Sequence, residues 1–452
     1  MSTTIASQRL APGPRGGLSL GMDLRRDGPR LLLDLAHRHG DVVRMRIGPR
    51  TVHLLNDPAH AKHVLQDRNK SYRKSAGARK VRAFLGDGLL TAEGDAWLRH
   101  RRMMQHAFSQ DRVAALGGPI SGAVNEVVET WRPIAERGET IDVHAEMMRL
   151  TLTVVSRALF SAELGDRAEQ MSGAFRVAFD HTVRRLHSLF NVPEGIPTPA
   201  NLRFRDAVRT LDDIVYGLLA RRRTEAPGAG DLLSVLMEAR DEETGTALGE
   251  KELRDEVLTL LLGGYDTAAN SLAWTWYLLS KSPAVAERLR GELATLGGKA
   301  PTVEDLPRIP YAGMVFEEAM RLYPPVWVLA REAAEDDELG GYHIPAGSMV
   351  LISPYVLHHD PRHWSNPEGF EPERFAPEHR GERPRYAYLP FGGGPRQCLG
   401  MGLAMLEARL ILATLAQRYR LDVVPWHRVD LAASITLAPR GGMPMVVRPV
   451  PS

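Results

Sequence analysis

Apolar and polar residues alternate over Val43, Arg44, Met45, Arg46 and Ile47, and again over Val52, His53 and Leu54, with Gly48-Pro49-Arg50 between them. Successive side chains of a strand point to opposite faces, so this pattern predicts a β-hairpin. Upstream, Leu31–His39 predicts a short helix, and residues 1–28, rich in Pro and Gly, predict a loose N-terminal arm. From Pro58 to Arg240 most apolar positions recur at helical spacing, which predicts a run of amphipathic helices. Two interruptions, the three prolines within Val192–Pro199 and the stretch EAPGAG at Glu225–Gly230, predict mobile loops.

The next helical pattern runs from about Glu250 to Ser282, ahead of Pro283. At 1.5 Å per residue it would span roughly 48 Å, the width of a domain. Heptads are not sustained and Gly263-Gly264-Tyr265-Asp266 interrupts the apolar run, so a buried strut is expected rather than a coiled coil or a membrane span. GGYHIPAGSMVLISPY, Gly340 to Tyr355, predicts a second hairpin region. A loop-rich stretch from His358 to Pro395 precedes an almost wholly apolar helix, Leu399 to about Arg418, and the last 30 residues predict short strands. The fold class is mainly α with minor β (α+β). No stretch reads as a linker, so residues 29–452 are expected to form one domain.

Composition narrows the function classes. Lys and Arg total 57 against 55 Asp and Glu, a net charge of +2, which gives no argument for nucleic acid or an anionic membrane. The N-terminus holds neither an apolar run near the ~20 residues of a membrane helix nor a signal-peptide core. A cytoplasmic chain without a membrane anchor is expected. The single cysteine excludes an intrachain disulfide and a multi-cysteine metal site.

Four stretches carry candidate chemistry. PFGGGPRQCLG sets the lone Cys398 after a run of glycines, at the start of the apolar helix. Glycines permit tight turning and close backbone approach, and a helix start favours a thiolate, although a lone cysteine is most often a small buried hydrophobe. GGYDTAAN puts two glycines mid-helix, each costing about 1 kcal/mol against alanine. Thr267 can bond back to the carbonyl of residue 263, making a polar notch beside Asp266; a solvent-facing Asp266 is the plainer alternative. In FEEAMRLYPP, Arg321 can reach Glu318 at i−3 or Glu317 at i−4, and helix geometry does not choose between them. WLRHRR places Trp97 and Arg101 one turn apart in a basic cluster, either a solvated face or an anion and partner site.

Together and in this order, these stretches resemble the cytochrome P-450 haem-thiolate monooxygenases, over essentially the whole chain. FGGGPRQCLG fits F-x-x-G-x-R-x-C-x-G at Phe391, Gly394, Arg396, Cys398 and Gly400. GGYDT resembles the oxygen-activating [AG]-G-x-[DE]-T segment, EEAMR supplies E-x-x-R and so selects Glu318, and PERF supplies Arg374. WLRHR matches W-x-x-x-R, and APGPRGG looks like the family's opening Pro/Gly segment. The resemblance implies a single triangular, mainly helical domain with haem b between the long helix and the cysteine loop.

It also implies roles. Cys398 as thiolate is the proximal iron ligand, with Phe391 packed near the sulfur. Arg396, Trp97, Arg101 and Arg331 pair with haem propionates, a task that suits the forked, permanently charged guanidinium. Gly400 completes the loop. Glu318, Arg321 and Arg374 form a structural charge network. Asp266 and Thr267 deliver protons during O2 activation. Ala268 stands where many members carry a second Thr. Substrate walls map to Phe84, Leu262, Gly263, Val326, Val328 and Leu437, mostly apolar, which implies a lipophilic substrate: a terpenoid, a fatty acid or a polyketide. The prolines at 193, 197 and 199 fall in the family's mobile lid. About 50 residues follow Cys398, too few for a fused flavin or ferredoxin domain, so a separate ferredoxin and its reductase are expected, docking in part on Arg99–Arg102. A monomer is expected. The rivals are a peroxide-driven peroxygenase and a non-catalytic haem sensor, and the Asp266–Thr267 pair argues against both.

Overall fold

Val42–Ile47 and Arg50–Leu55 pair antiparallel, Val43 opposite Leu54 and Met45 opposite Val52, as the alternation predicts. The hairpin forms one edge of a five-stranded sheet that continues through Met349–Ile352 and Leu329–Ala333 to Tyr72–Lys74. In the computed structural model, residues 9–14, 18–48, 50–165, 167–187, 192–224 and 231–450 are described. The Glu225–Gly230 stretch lies outside them.

Two sequence expectations are corrected. Helix α1 spans Leu18–His39, with a break at Asp27 (φ −154°) just before Pro29, so much of the expected arm is helical. The described residues before it are also fastened: Pro12 O accepts from Arg44 N at 2.8 Å, Arg9 O accepts from His343 N at 3.0 Å, and Ala11 is buried. Second, Tyr342–Ile344 pairs with Asp337–Leu339, whereas Met349–Ile352 runs parallel to Arg50–Leu55. Gly340 to Tyr355 is therefore split between two sheets. The proline-rich loop receives hydrogen bonds from the helix that follows. Asn201 Nδ2 donates to Pro193 O (2.9 Å) and Ile196 O (2.8 Å), and Arg205 donates to Glu194 O and Gly195 O, both at 2.7 Å.

The helices that position the candidate residues are α2 (Gly94–Gln105), α3 (Val143–Phe160), α4 (Arg167–His187), α5 (Pro199–Thr224), α6 (Glu250–Lys281), α7 (Pro310–Leu322) and α8 (Met401–Arg418). α6 is the expected strut. It is helical from end to end, starts with Glu252 Oε2 accepting from Gly249 N at 2.8 Å, and packs along α3. Residue contacts divide the chain into two compact units. One holds Met1–Gly77, Glu317–Cys398 and Leu431–Ala438; the other holds Ala78–Phe316, Leu399–Asp430 and Pro439–Ser452. Each is assembled from segments far apart in sequence, so no linker marks a boundary. The first buries a core of Leu55, Val350, Ile352, Leu357 and Leu389 about its sheet. The second buries Leu258, Leu261, Ala269 and Leu272 of α6. Among the described residues, no helix is long and apolar enough to cross a membrane.

Candidate active site

In the first unit, Phe391–Cys398 closes on itself. Cys398 N donates to Phe391 O at 3.0 Å, and Gln397 N donates to Gly394 O at 3.1 Å. Gly392 (φ +67°) and Gly394 (φ +69°) take the left-handed backbone that only glycine adopts cheaply. A Cβ at Gly394 would run into the Leu65 carbonyl, so this turn has no room for another residue. The Cys398 side chain is exposed, and Phe391 and Arg396 are half-buried. α8 begins at Met401 after Gly400, so Cys398 precedes the helix rather than opening it. Among the described residues, no group of three or more His, Cys, Asp or Glu could hold a metal ion.

The same unit holds a buried ionic network. Glu318 and Arg321 are both 0 % exposed. Arg321 Nε donates to Glu318 Oε2 (2.7 Å) and one Nη to Oε1 (2.8 Å). Its remaining N–H groups reach the carbonyls of His358 (2.9 Å), Pro367 (2.6 Å) and Gly369 (2.7 Å). All five guanidinium donors are thereby used. Arg374 Nε lies 3.4 Å from Glu318 Oε1, and Glu317 pairs instead with Arg380 at 3.2 Å. His358, which sequence reasoning missed, is fully buried; Leu389 N donates to its Nε2 at 2.8 Å, and its Nδ1 lies 3.1 Å from Arg321 O. The ring is therefore the neutral Nδ1–H tautomer. Burial, then His359 and Arg321, hold its pKa well below the ordinary histidine value.

Also in this unit, Arg331 sits on Leu329–Ala333 and donates to Ala330 O at 3.0 Å. Leu437 N donates to Pro325 O at 2.9 Å, and Val328 packs in the same apolar cluster as the fully buried Leu437. Val326 is half-buried.

In the second unit, α6 carries the notch. Thr267 Oγ1 donates to Gly263 O at 2.8 Å, the back-bond its spacing predicts. Asp266 and Thr267 are partly exposed, while Leu262, Tyr265, Ala268 and Ala269 are buried. A Cβ on Gly263 would meet nothing within 4 Å, whereas one on Gly264 would stand 2.6 Å from Val155 Cγ2. The two glycines thus serve opposite ends, one leaving space and one permitting helix contact. Phe84 is fully buried, edge-on to Phe179 of α4 at 5.4 Å.

Trp97 and Arg101 are half-buried on α2. Their neighbours are already engaged. Arg99 donates to Glu252 at 2.6 Å, and Arg102 pairs with Glu243 and, at 3.2 Å, with Asp241. Arg99 and Arg102 are thus each paired with acidic side chains. Between them His100 is buried, its Nδ1 2.7 Å from Glu256 Oε1 and its Nε2 3.4 Å from Glu252 Oε1. Burial alone would lower the His100 pKa, but Glu256 and then Glu252 outweigh it, so it sits above the ordinary histidine value. Glu256 Oε2 also accepts from Leu89 N (3.1 Å), and Asp255 Oδ2 accepts from Asp87 N (2.8 Å). The loop that follows Phe84 is therefore seated on the first turns of α6. Sequence reasoning had no signal for these loop contacts, since Asp87 and Leu89 lie far upstream in the chain, although Asp255 also pairs locally with Lys251 at 2.7 Å.

The chain is similar to known proteins over most of its length. A family model described as Cytochrome P450 matches residues 11–440. The cyclooctatin synthase of Streptomyces melanosporofaciens is 36% identical over 97% of this chain and 95% of its own length. The cyclooctat-9-en-7-ol 5-monooxygenase of the same organism is 36% identical, again over 97% and 95%. The pentalenene oxygenase of Streptomyces avermitilis is 33% identical over 86% of this chain and 85% of its own. Among solved structures, the cytochrome P450DA heme domain superposes with a TM-score of 0.89 at 27% identity, covering 98% of each chain.

Proposed function

Because this chain belongs to the cytochrome P450 family and is a haem-dependent monooxygenase, we propose that its substrate is a cyclic terpenoid and that Cys398, Asp266 and Thr267 are its working residues. The observation that carries the substrate class is Gly263: the helix beside the Asp266–Thr267 notch leaves open space where any other residue would project. Relatives named for cyclooctat-9-en-7-ol and pentalenene support the same reading. The apolar candidates Phe84, Leu262, Val326, Val328 and Leu437 suit a ligand of that kind.

The residues present fit haem. A lone thiol on a glycine-shaped loop is a soft donor for iron, and Arg331, Arg396 and Arg101 are the natural partners of two carboxylates. Trp97 joins them through its indole N–H. Thiolate-ligated haem supplies the chemistry that splits O2 and places one oxygen in a C–H or C=C bond. The chain's own residues do the rest. Phe391 limits water at the sulfur, and the Phe391–Cys398 backbone bond fixes the loop. Thr267, held to Gly263 O, presents its hydroxyl at a set position, and Asp266 beside it exchanges protons with solvent. Glu318, Arg321 and Arg374 hold the loop's foundation and do not react. Electrons come from a separate ferredoxin and its reductase, and the enzyme works as a monomer in the cytoplasm.

Two measurements test this. Cys398→Ala is expected to abolish the red-shifted CO band of the reduced protein; survival of the band removes Cys398 as ligand. The ferric spin shift is expected with cyclic terpene alcohols and hydrocarbons. A shift confined to linear fatty acids or polyketides would overturn the substrate class.

A further inference from the structure

We propose that Thr151, on α3, is a positioning residue for the Asp266–Thr267 pair; the inference rests on the proton-handling role given to that pair above. Thr151 is fully buried, with its Oγ1 2.9 Å from Tyr265 O and 2.8 Å from Met147 O one turn back on its own helix. A hydroxyl has one proton, so it is shared between the two helices. An apolar residue would fill this interface without the desolvation cost of a buried oxygen. The hydroxyl is therefore there for what it touches.

What it touches is the peptide that leads into Asp266. The carbonyl of Tyr265 and the N–H of Asp266 belong to one rigid plane. Holding that carbonyl fixes the tilt of the plane, and with it the direction in which Asp266 leaves the helix. Two further contacts grip the same turn. Val155, one turn beyond Thr151 on α3, leaves no room for a Cβ at Gly264. The Tyr265 ring is buried against Phe175 of α4, with centroids 5.8 Å apart. Residues 264 and 265 are thus clamped from the α3 and α4 side, while Gly263 borders open space and Thr267 bonds back to it. The clamp is what keeps a notch weakened by two glycines from tilting. Without the Thr151 hydroxyl the plane is freer, the acid–hydroxyl pair is less well aimed, and water is admitted beside it.

The test uses the holoprotein with NADPH and a plant-type ferredoxin and its reductase, without added substrate. The readout is futile turnover, NADPH + H+ + O2 → NADP+ + H2O2, normalised to haem content. Thr151→Ala and Thr151→Ser form the decisive pair, because they remove the same methyl and differ only in the hydroxyl; Thr151→Val is the isosteric companion. We expect Thr151→Ala and Thr151→Val to release peroxide about threefold to tenfold faster, the range that one buried hydrogen bond supports. Thr151→Ser should stay within about twofold of the parent. The reduced-CO band should be unchanged in all three. Thr267→Ala is the control for the underlying reading. If it accelerates peroxide release and Thr151→Ala matches Thr151→Ser, the positioning role is wrong. If Thr267→Ala itself changes nothing, the reading of the pair fails and this proposal falls with it. A loss of haem binding in Thr151→Val leaves the Ala/Ser comparison to decide.

Discussion

Arg321 has every donor of its side chain engaged. It makes two bonds to Glu318 and three to backbone carbonyls while wholly shielded from water. Lysine offers three donors from a single point and cannot match a planar fork. Arg321→Lys is expected to cost about 3–5 kcal/mol, the penalty for a buried pair that loses its partner geometry. Chemical denaturation followed by tryptophan fluorescence would measure it, and a change below about 1 kcal/mol would contradict the five-donor account. How far this site could be read in advance is instructive. Helix spacing left Glu317 and Glu318 equivalent, and only the family motif chose. The three carbonyl partners, and His358 joining Arg321 to Leu389, have no local pattern at all. Those contacts come from segments well beyond helix range of Arg321, and their polar groups are backbone atoms that every residue possesses.

α6 shows the same division one level up. Its length and its polar notch were legible, because period and glycine content are local properties. The different fates of its two glycines were not, because each depends on what lies opposite. Gly264→Ala is expected to lower stability by about 1–3 kcal/mol through overpacking against Val155. Gly263→Ala should be neutral or stabilising by up to about 1 kcal/mol, while narrowing the range of ligands that give a spin shift. Thermal melts should fall for Gly264→Ala and hold or rise for Gly263→Ala. The contact of α2 with α6 adds a pH dependence. His100 is raised by Glu256 and Glu252 against the pull of burial, so the folded state holds its proton more tightly than the unfolded chain. Its contribution is complete below the unfolded value near 6.5 and is lost as pH rises through the folded value. His100→Gln should therefore flatten the decline in stability that sets in as pH rises above the unfolded value. An unchanged slope there would show that the His100–Glu256 contact carries no linkage.

At the scale of the whole chain, the sequence disclosed the elements better than their partners. The Val42–Leu55 hairpin was readable because its strands are neighbours. Met349–Ile352 was not, because its partners are Arg50–Leu55, some three hundred residues earlier, and Leu329–Ala333. The N-terminal segment misled for a related reason. Its Pro and Gly content resembles a free arm, yet Arg9 and Pro12 accept backbone hydrogen bonds from the far side of the same unit. Deleting residues 1–14 should cost about 1–3 kcal/mol, two backbone bonds' worth, with a matching fall in melting temperature. No loss would mean the segment adds nothing to the fold. The solitary cysteine carries a different consequence. A thiol oxidised to sulfenic acid can be rescued by a second cysteine that converts the damage to a disulfide. This chain has no second cysteine, so Cys398 unprotected by a ligand has no intrachain disulfide to fall back on and is open to oxidation toward the irreversible acids. Ageing of the apoprotein should then appear as a mass increase of two or three oxygens at a single position, and the fraction of chains carrying it would record how long each had been without its cofactor.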